Sequence, residues 1–535
     1  MNEPASNLAS VDEFESGLRG ILGDGNVLFD QADREFFSTD LSFRPREVAA
    51  AIIRPTSVDS LAAAVAFCTS RGYSVLARGG GMSYTSGYTP TETQAVLVDM
   101  QAFDRILEIN ADDMYVTVEA GVTWKTLYEA LYPLGLRTPY FGPLSGMYAT
   151  VGGAVSQNSL FHGSGIYNTV AESVLGLQVV LASGEVLQTG SAAHKHCNGF
   201  YRHFGPDVTG LFTADTGAFG LKTAVTLRLI TTPKETGYLS FKFDTLESML
   251  AAQVRIAKLR IASECYGFDP YYNSSFEQQG ITFEEGLSVV GQIVRKGGVK
   301  GLKQAAKMAL GGKRVLRNVP YSLHMTLDGH TERVAAEHVD IAAEICQEEG
   351  GSEMANSIPL AFRNQPFGGV RTVLLGSDGA VWIPVHGFFP LSRAIDAAKA
   401  TEAFLAERKD LMEQWGIKTS YLTCFAGSEF VIEPSFYWLD ELGEFRLSLI
   451  EKEYADEWKH ISANEERRAV ALQLRDELRD LFDQLGGVHL QIGKYYPYFE
   501  MMENKSLEKV IRGVKGVLDP EGRVNPGSLG LPGEG

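Results

Sequence analysis

Positive charge is scarce in this chain: 48 Lys and Arg stand against 66 Asp and Glu, a formal net charge of −18 at pH 7. Attraction to a nucleic-acid backbone needs a summed positive field, so this balance argues against nucleic acid as a partner. Cysteine is scarcer still. Cys68, Cys197, Cys265, Cys346 and Cys424 are odd in number, scattered and never spaced C-x-x-C, which suggests neither a disulfide framework nor a thiolate zinc site and fits reduced thiols in a cytoplasm. Long apolar runs are missing too. The opening MNEPASNLASVDEFESGL has no basic start and no apolar stretch, and no later run approaches the roughly 20 apolar residues of a spanning helix. A cytoplasmic protein, neither secreted nor membrane-spanning, is expected.

What is present reads as globular and divided. Hydrophobic residues make up 44% and charged residues 21% of the 535, a length that calls for two or more domains. After an N-terminal helical segment (1–46), residues 47–232 alternate apolar β-branched runs with amphipathic segments and glycine turns: AAIIRPTS, SVLARGGG, AVLVDM, YVTVEAG and VLGLQVVLASGEVLQTG. Leu61, Val65 and Cys68 fall at helical spacing after a Thr-Ser start, which predicts a helix over 57–71. TTPKE at 231–235 closes this part, and helical LESMLAAQVRIAKL opens a second one, 233–485. There a helix over 332–348 and strand-like VRTVLLG and AVWIPVHGFF suit a sheet backed by helices. The stretch 486–535 is rich in Gly, Tyr and Pro and reads as ordered turns.

Three separated glycine turns carry the chemistry of the first part. Arg78-Gly79-Gly80-Gly81-Met82-Ser83-Tyr84 follows a strand, and such a turn can aim main-chain N–H groups at a diphosphate. It lacks the G-x-G-x-x-G spacing of a nicotinamide-binding turn. The second, PLSGMYATVGGAVSQNSLFHGSGIY, spans 143–167, and the third, GPDVTGLFTADTGAFGLKTAVTLRL, spans 205–229.

In order and wording these motifs resemble the FAD-binding domain of the vanillyl-alcohol oxidase and p-cresol methylhydroxylase flavoprotein superfamily, which also holds D-lactate dehydrogenase and glycolate oxidase relatives. The resemblance covers about 47–230 and the C-terminal Leu518-Asp519-Pro520 and Asn525-Pro526-Gly527. It implies an α+β fold: a two-subdomain FAD-binding domain of the p-cresol methylhydroxylase type, an α+β cap, and a C-terminal segment returning to the FAD domain. It implies that Arg78, Gly79, Gly80, Gly81, Met82, Ser83 and Tyr84 hold the pyrophosphate. Pro143, Ser145, Thr150, Gly152, Gly153, Ser156, Gly163, Ser164 and Tyr167 would lie beside flavin and phosphates. Gly217, Ala218, Phe219 and Gly220 would back the adenosine end, with Asn525 in the returning segment. Many relatives tether the flavin through a histidine in the first loop, where this chain has Met82, and the stretch FAGSEFVIEPSFYW (425–438) offers no substitute histidine. Non-covalent FAD is expected. HLQIGKYYPY stands where the D-lactate branch carries E-H-G-I-G, which weakens a metal-assisted hydroxy-acid site. His194, His196, His203 and Cys197 match no zinc spacing either, so no metal is expected.

Flavin oxidation needs a proton acceptor beside the carbon that loses hydride. His489, Gln491, Lys494, Tyr495, Tyr496 and Tyr498 form the densest polar and aromatic cluster. His489 could serve as base and Tyr495 could hold an oxygen; a strand with Leu490 and Ile492 inward accounts for the pattern equally. Tyr421, Glu433, Phe436, Tyr437 and Trp438 could build an aromatic slot or an ordinary core. His386 in W-I-P-V-H-G is a secondary candidate, and Arg371 and Arg363 could face an anion. The expected reaction is FAD-dependent oxidation of a small substrate, foremost a phenolic or other aromatic alcohol, with oxygen or a carrier reoxidising the flavin. The alternatives are a 2-hydroxy acid dehydrogenase and a non-redox transferase resembling alkyl-dihydroxyacetone-phosphate synthase. Relatives imply a homodimer. Between 295 and 317 eight Lys or Arg occur without an acid, a patch suited to an anionic membrane surface or acidic acceptor, or merely to solvent.

Overall fold

The computed structural model describes residues 11–43, 46–279 and 319–532; the basic segment 295–317 lies outside them. Among the described residues three large sheets, besides one two-stranded pair, organise the chain. The first has four strands in the order Val27–Leu28, Ala51–Ile53, Ala95–Asp99 and Ser74–Arg78, the last three mutually parallel. The helix Val58–Thr69 packs on it, started by Ser57, whose hydroxyl accepts the Ser60 N–H in a reciprocal cap. The N-terminal segment supplies a strand as well as two helices.

The second sheet is antiparallel and five-stranded, ordered Ile106–Asn110, Tyr115–Glu119, Leu221–Arg228, Val174–Val180 and Val186–Gln188. The third, also antiparallel, has eight strands from Glu235–Phe243 to Glu429–Trp438. The helix Leu246–Leu259 reproduces the span read from its periodicity, and Thr245 caps it. One element departs from expectation. VRTVLLG forms no strand; Arg371–Leu374 is a short helix. The run must turn back at once, because Leu375 bridges to Val381 and the Arg371 guanidinium stacks 3.9 Å over Tyr454.

The chain end closes the first unit. Val75 donates its N–H to the Arg523 carbonyl, and Asn525 donates its own to Val75. Val524 and Leu531 are buried in the cores of the first and second sheets. Lys515 and Asp519, 2.6 Å apart and buried, lock this return. No helix among the described residues is long and apolar enough to cross a membrane.

Candidate active site

The three glycine turns, far apart in sequence, meet at one cavity, and the third sheet closes it from the opposite side. From the first turn Gly79, Gly80, Gly81, Met82, Ser83 and Tyr84 line it; from the second, Pro143, Ser145, Thr150, Gly152, Gly153 and Ser156; from the third, Gly217 and Gly220. Glycine is required by packing here. A Cβ at Gly80 would stand 1.9 Å from the Tyr148 carbonyl oxygen, and one at Gly152 2.6 Å from the Ala120 Cβ. Larger residues would drive the turns apart.

Other expected cofactor residues stand behind this wall rather than in it. Arg78 is buried among Phe37, Tyr88 and Phe445. Gly163 gives its N–H to Glu264 of the cap at 3.0 Å, Ser164 accepts the Phe161 N–H on its hydroxyl and the Gly427 N–H of the cap on its carbonyl, and Tyr167 closes the short helix that follows. Ala218 and Phe219 enter the core of the second sheet. The Asn525 amide donates to the carbonyls of Gly87 and Thr216, each at 2.7 Å, and so ties the first turn to the third.

On the cap side the period of the strand decides which residues are presented. Leu422 and Cys424 on Lys418–Ala426 pair in register with Glu433 and Val431 on Glu429–Trp438, and all four line the cavity with Ser435. Tyr421 points the other way, its hydroxyl bound to Glu402 at 2.6 Å. Phe436 and Trp438 are buried off the cavity, while the Tyr437 hydroxyl bonds Ser420. Trp382 and Tyr272 complete an aromatic wall.

Glu433 is the chemically distinctive group. Burial pushes its carboxyl up to about 7, against a hydrogen bond from the Tyr84 hydroxyl that pulls it down. Tyr84 in turn is bonded by the Gln491 side chain. Gln491 is held at φ +52, a left-handed conformation unusual for a non-glycine residue. Gln157 brings to the same wall an amide oxygen that is buried and unbonded. Such a wall of open backbone and unspent polar atoms fits a dinucleotide.

The histidines lie deeper. His386 donates from Nε2 to the Leu490 carbonyl at 2.7 Å and meets the Tyr496 hydroxyl through Nδ1; burial lowers it to about 3. His489 donates from Nδ1 to the His386 carbonyl at 2.6 Å and is lowered to about 4, again by burial. Neither lines the cavity, and the strand alternative for 489–492 does not form. Tyr495 lies under Arg475, 3.7 Å from its ring centre. Lys494 is buried on the Thr89 carbonyl, and Tyr498 packs near Phe499. Arg371 pairs with Glu451 at 3.3 Å, and Arg363 with Glu264 and Asp328. His194, His196 and His203 lie in the loop before the third turn, and no cluster of three metal-ligating side chains occurs among the described residues. Trp382, Tyr272, Gln157 and Lys222 were absent from the sequence-level site; alternation along paired strands would have pointed to Trp382, but nothing local marks the others.

Residues 49–190 match the FAD binding domain family. Glycolate oxidase subunit GlcD of Bacillus subtilis is 28% identical over 42% of this chain and 46% of its own. The probable mitochondrial D-lactate dehydrogenase of Danio rerio is 27% identical over 55% of this chain and 62% of its own, so the chain spans about half the length of the curated relatives it matches. Among solved structures, p-cresol methylhydroxylase with substrate bound superposes with TM-score 0.73 at 17% identity, covering 97% of both chains. The 4-ethylphenol oxidase of Gulosibacter chungangensis gives 0.71 at 18%, covering 99% of this chain and 98% of that one. Alkyldihydroxyacetonephosphate synthase gives 0.68 at 15%, covering 98% and 86%. The chain therefore carries an FAD-binding domain of this family over residues 49–190, within the fold of the p-cresol methylhydroxylase-type flavoproteins.

Proposed function

We infer that this protein is an FAD-dependent oxidoreductase that oxidises a neutral aromatic alcohol or phenol, with Glu433 as proton acceptor. The observation that carries the reading is one carboxyl, poised near neutrality, in an aromatic and aliphatic wall facing the glycine turns. Bound flavin supplies the acceptor for the hydride lost from the substrate carbon. The chain supplies the rest. Glu433 as carboxylate takes the proton of the substrate hydroxyl, and a pKa near working pH suits that transfer. Tyr84 and Gln491 hold the carboxyl in place. Trp382, Tyr272, Leu374, Leu422, Val431 and Leu490 grip a flat ring and keep water out.

Names of the sequence relatives favour a second reading, a 2-hydroxy acid. Its carboxylate calls for a cation on the cap wall. Among the described lining residues that wall has none, since Arg363 and Arg371 are both engaged in ion pairs away from the cavity. Stopped-flow bleaching of the flavin by a panel of phenols, benzylic alcohols and 2-hydroxy acids tests the choice. Reduction by the acids alone overturns the aromatic reading.

The flavin is held without a covalent bond in this reading. No histidine lines the cavity among the described residues, and burial raises the Cys424 thiol far out of reactive range. Acid precipitation should leave the yellow colour in the supernatant; colour retained in the pellet would reject this.

A further inference from the structure

The glycine turns offer a ligand neutral backbone, yet the cofactor they suit carries two phosphate charges. Among the described residues lining the cavity, Lys222 is the only side chain with a formal positive charge and Glu433 the only one with a formal negative charge. They belong to different walls. Glu433 is on the cap, whereas Lys222 is the second residue of the strand Leu221–Arg228, directly after the third glycine turn.

Lys222 is 4% exposed, and a lysine so buried is held by an acid: Nζ donates to Asp215 Oδ1 at 2.6 Å. The same oxygen accepts the Gly217 N–H at 3.1 Å, which fixes the pair to the turn. Among the described residues that contact is the only hydrogen bond Nζ makes, and an ammonium has three donors. Beyond Lys222, the buried Asp215 carboxylate meets only the backbone N–H groups of Gly217 and Phe219. Desolvating two charges is recovered only when their remaining hydrogen-bonding capacity is filled. As it stands the pair is underfilled, and it borders a cavity.

We propose that Lys222, held by Asp215, is a cofactor-selecting residue: its ammonium donates to a phosphate or ribose oxygen of the dinucleotide beyond the riboflavin moiety. Ring and ribityl chain are uncharged, so a cation in the wall of the third turn discriminates for the charged part of the molecule. A charge-assisted hydrogen bond of this kind changes affinity by about tenfold to a hundredfold. The proposal rests on the flavin reading and adds to it the side chain that sets cofactor choice.

The test titrates apoprotein with FAD, FMN and riboflavin and reads quenching of flavin fluorescence, which requires no turnover. Lys222→Met should weaken FAD about tenfold or more and leave riboflavin unchanged. FMN distinguishes the sources: weakened FMN places the contact on the phosphate nearest the ring, unchanged FMN places it on the adenosine monophosphate half. Equal weakening of all three ligands, or unchanged FAD, overturns the proposal, the first because Lys222 then acts only through the fold. Should Lys222→Met fail to fold with Asp215 left unpaired, the double variant Lys222→Met, Asp215→Asn removes both charges and is read the same way. Lys222→Arg should restore part of the FAD affinity. Wild-type protein that binds none of the three would instead reject the flavin reading itself.

Discussion

At Glu433 two demands meet. A carboxyl buried in an apolar wall is costly to ionise, and the same cost brings it near 7, where it can accept a proton. Its native pKa is raised above the unfolded value, so the native state binds the proton more tightly. Its contribution to stability is full below about 4.5 and is lost as pH rises through about 7. Glu433→Gln should therefore raise the melting temperature of the apoprotein at pH 8 and leave it little changed at pH 4; a gain at both would contradict the shift. In the holoenzyme the rate of flavin reduction should climb through pH 7. Glu433→Gln should flatten that limb and slow reduction by about a hundredfold or more, as stopped flow would register. The sequence named this residue among aromatic neighbours, yet it put His489 forward as the base and His386 as a secondary candidate. An imidazole's usefulness depends on what its nitrogens already hold, and their carbonyl partners come from contacts over a hundred residues away.

Elements translate such choices into direction. Along Lys418–Ala426 and Glu429–Trp438 the alternation is faithful, so Tyr421 and Glu433, adjacent in the sequence cluster, face opposite sides of one sheet. The glycine turns were legible through their order along the chain and its resemblance to a flavoprotein domain, since a single glycine-rich turn after a strand is common. VRTVLLG was not, because composition favours a strand while the bridge of Leu375 to Val381 forces a turn. At Gly80 the turn has no slack. Gly80→Ala must move a backbone carbonyl now 1.9 Å from the added carbon, and we expect protein purified without flavin and a melting temperature lowered by several degrees. Flavin content at the wild-type level would show that the turn yields.

Across the whole molecule the FAD domain and cap are joined by a buried ionic cluster. Arg137 and Arg363 approach Asp328 at 3.0 and 2.9 Å, and Arg363 also meets Glu264 at 3.0 Å. The neighbouring Arg363 guanidinium holds Glu264 below the usual carboxylate range despite its burial. Removing one member leaves buried charge uncompensated, so Arg363→Met should cost about 3–5 kcal/mol by chemical denaturation. A loss under 1 kcal/mol would mean that water replaces the arginine. A ligand seated between the two units stabilises both, and FAD at about a hundred times its Kd should add about 2.7 kcal/mol. Separate unfolding transitions for the two units, with only one responding to flavin, would contradict a shared site. The cluster was not legible in the sequence, since its four members are scattered between Arg137 and Arg363.

Asn525, fastened to Gly87 and Thr216, has one more implication. During synthesis the strands that bear the glycine turns emerge hundreds of residues before the amide that clamps them together. A nascent chain would therefore hold a half-made cradle, and flavin capture should await the emergence of Asn525.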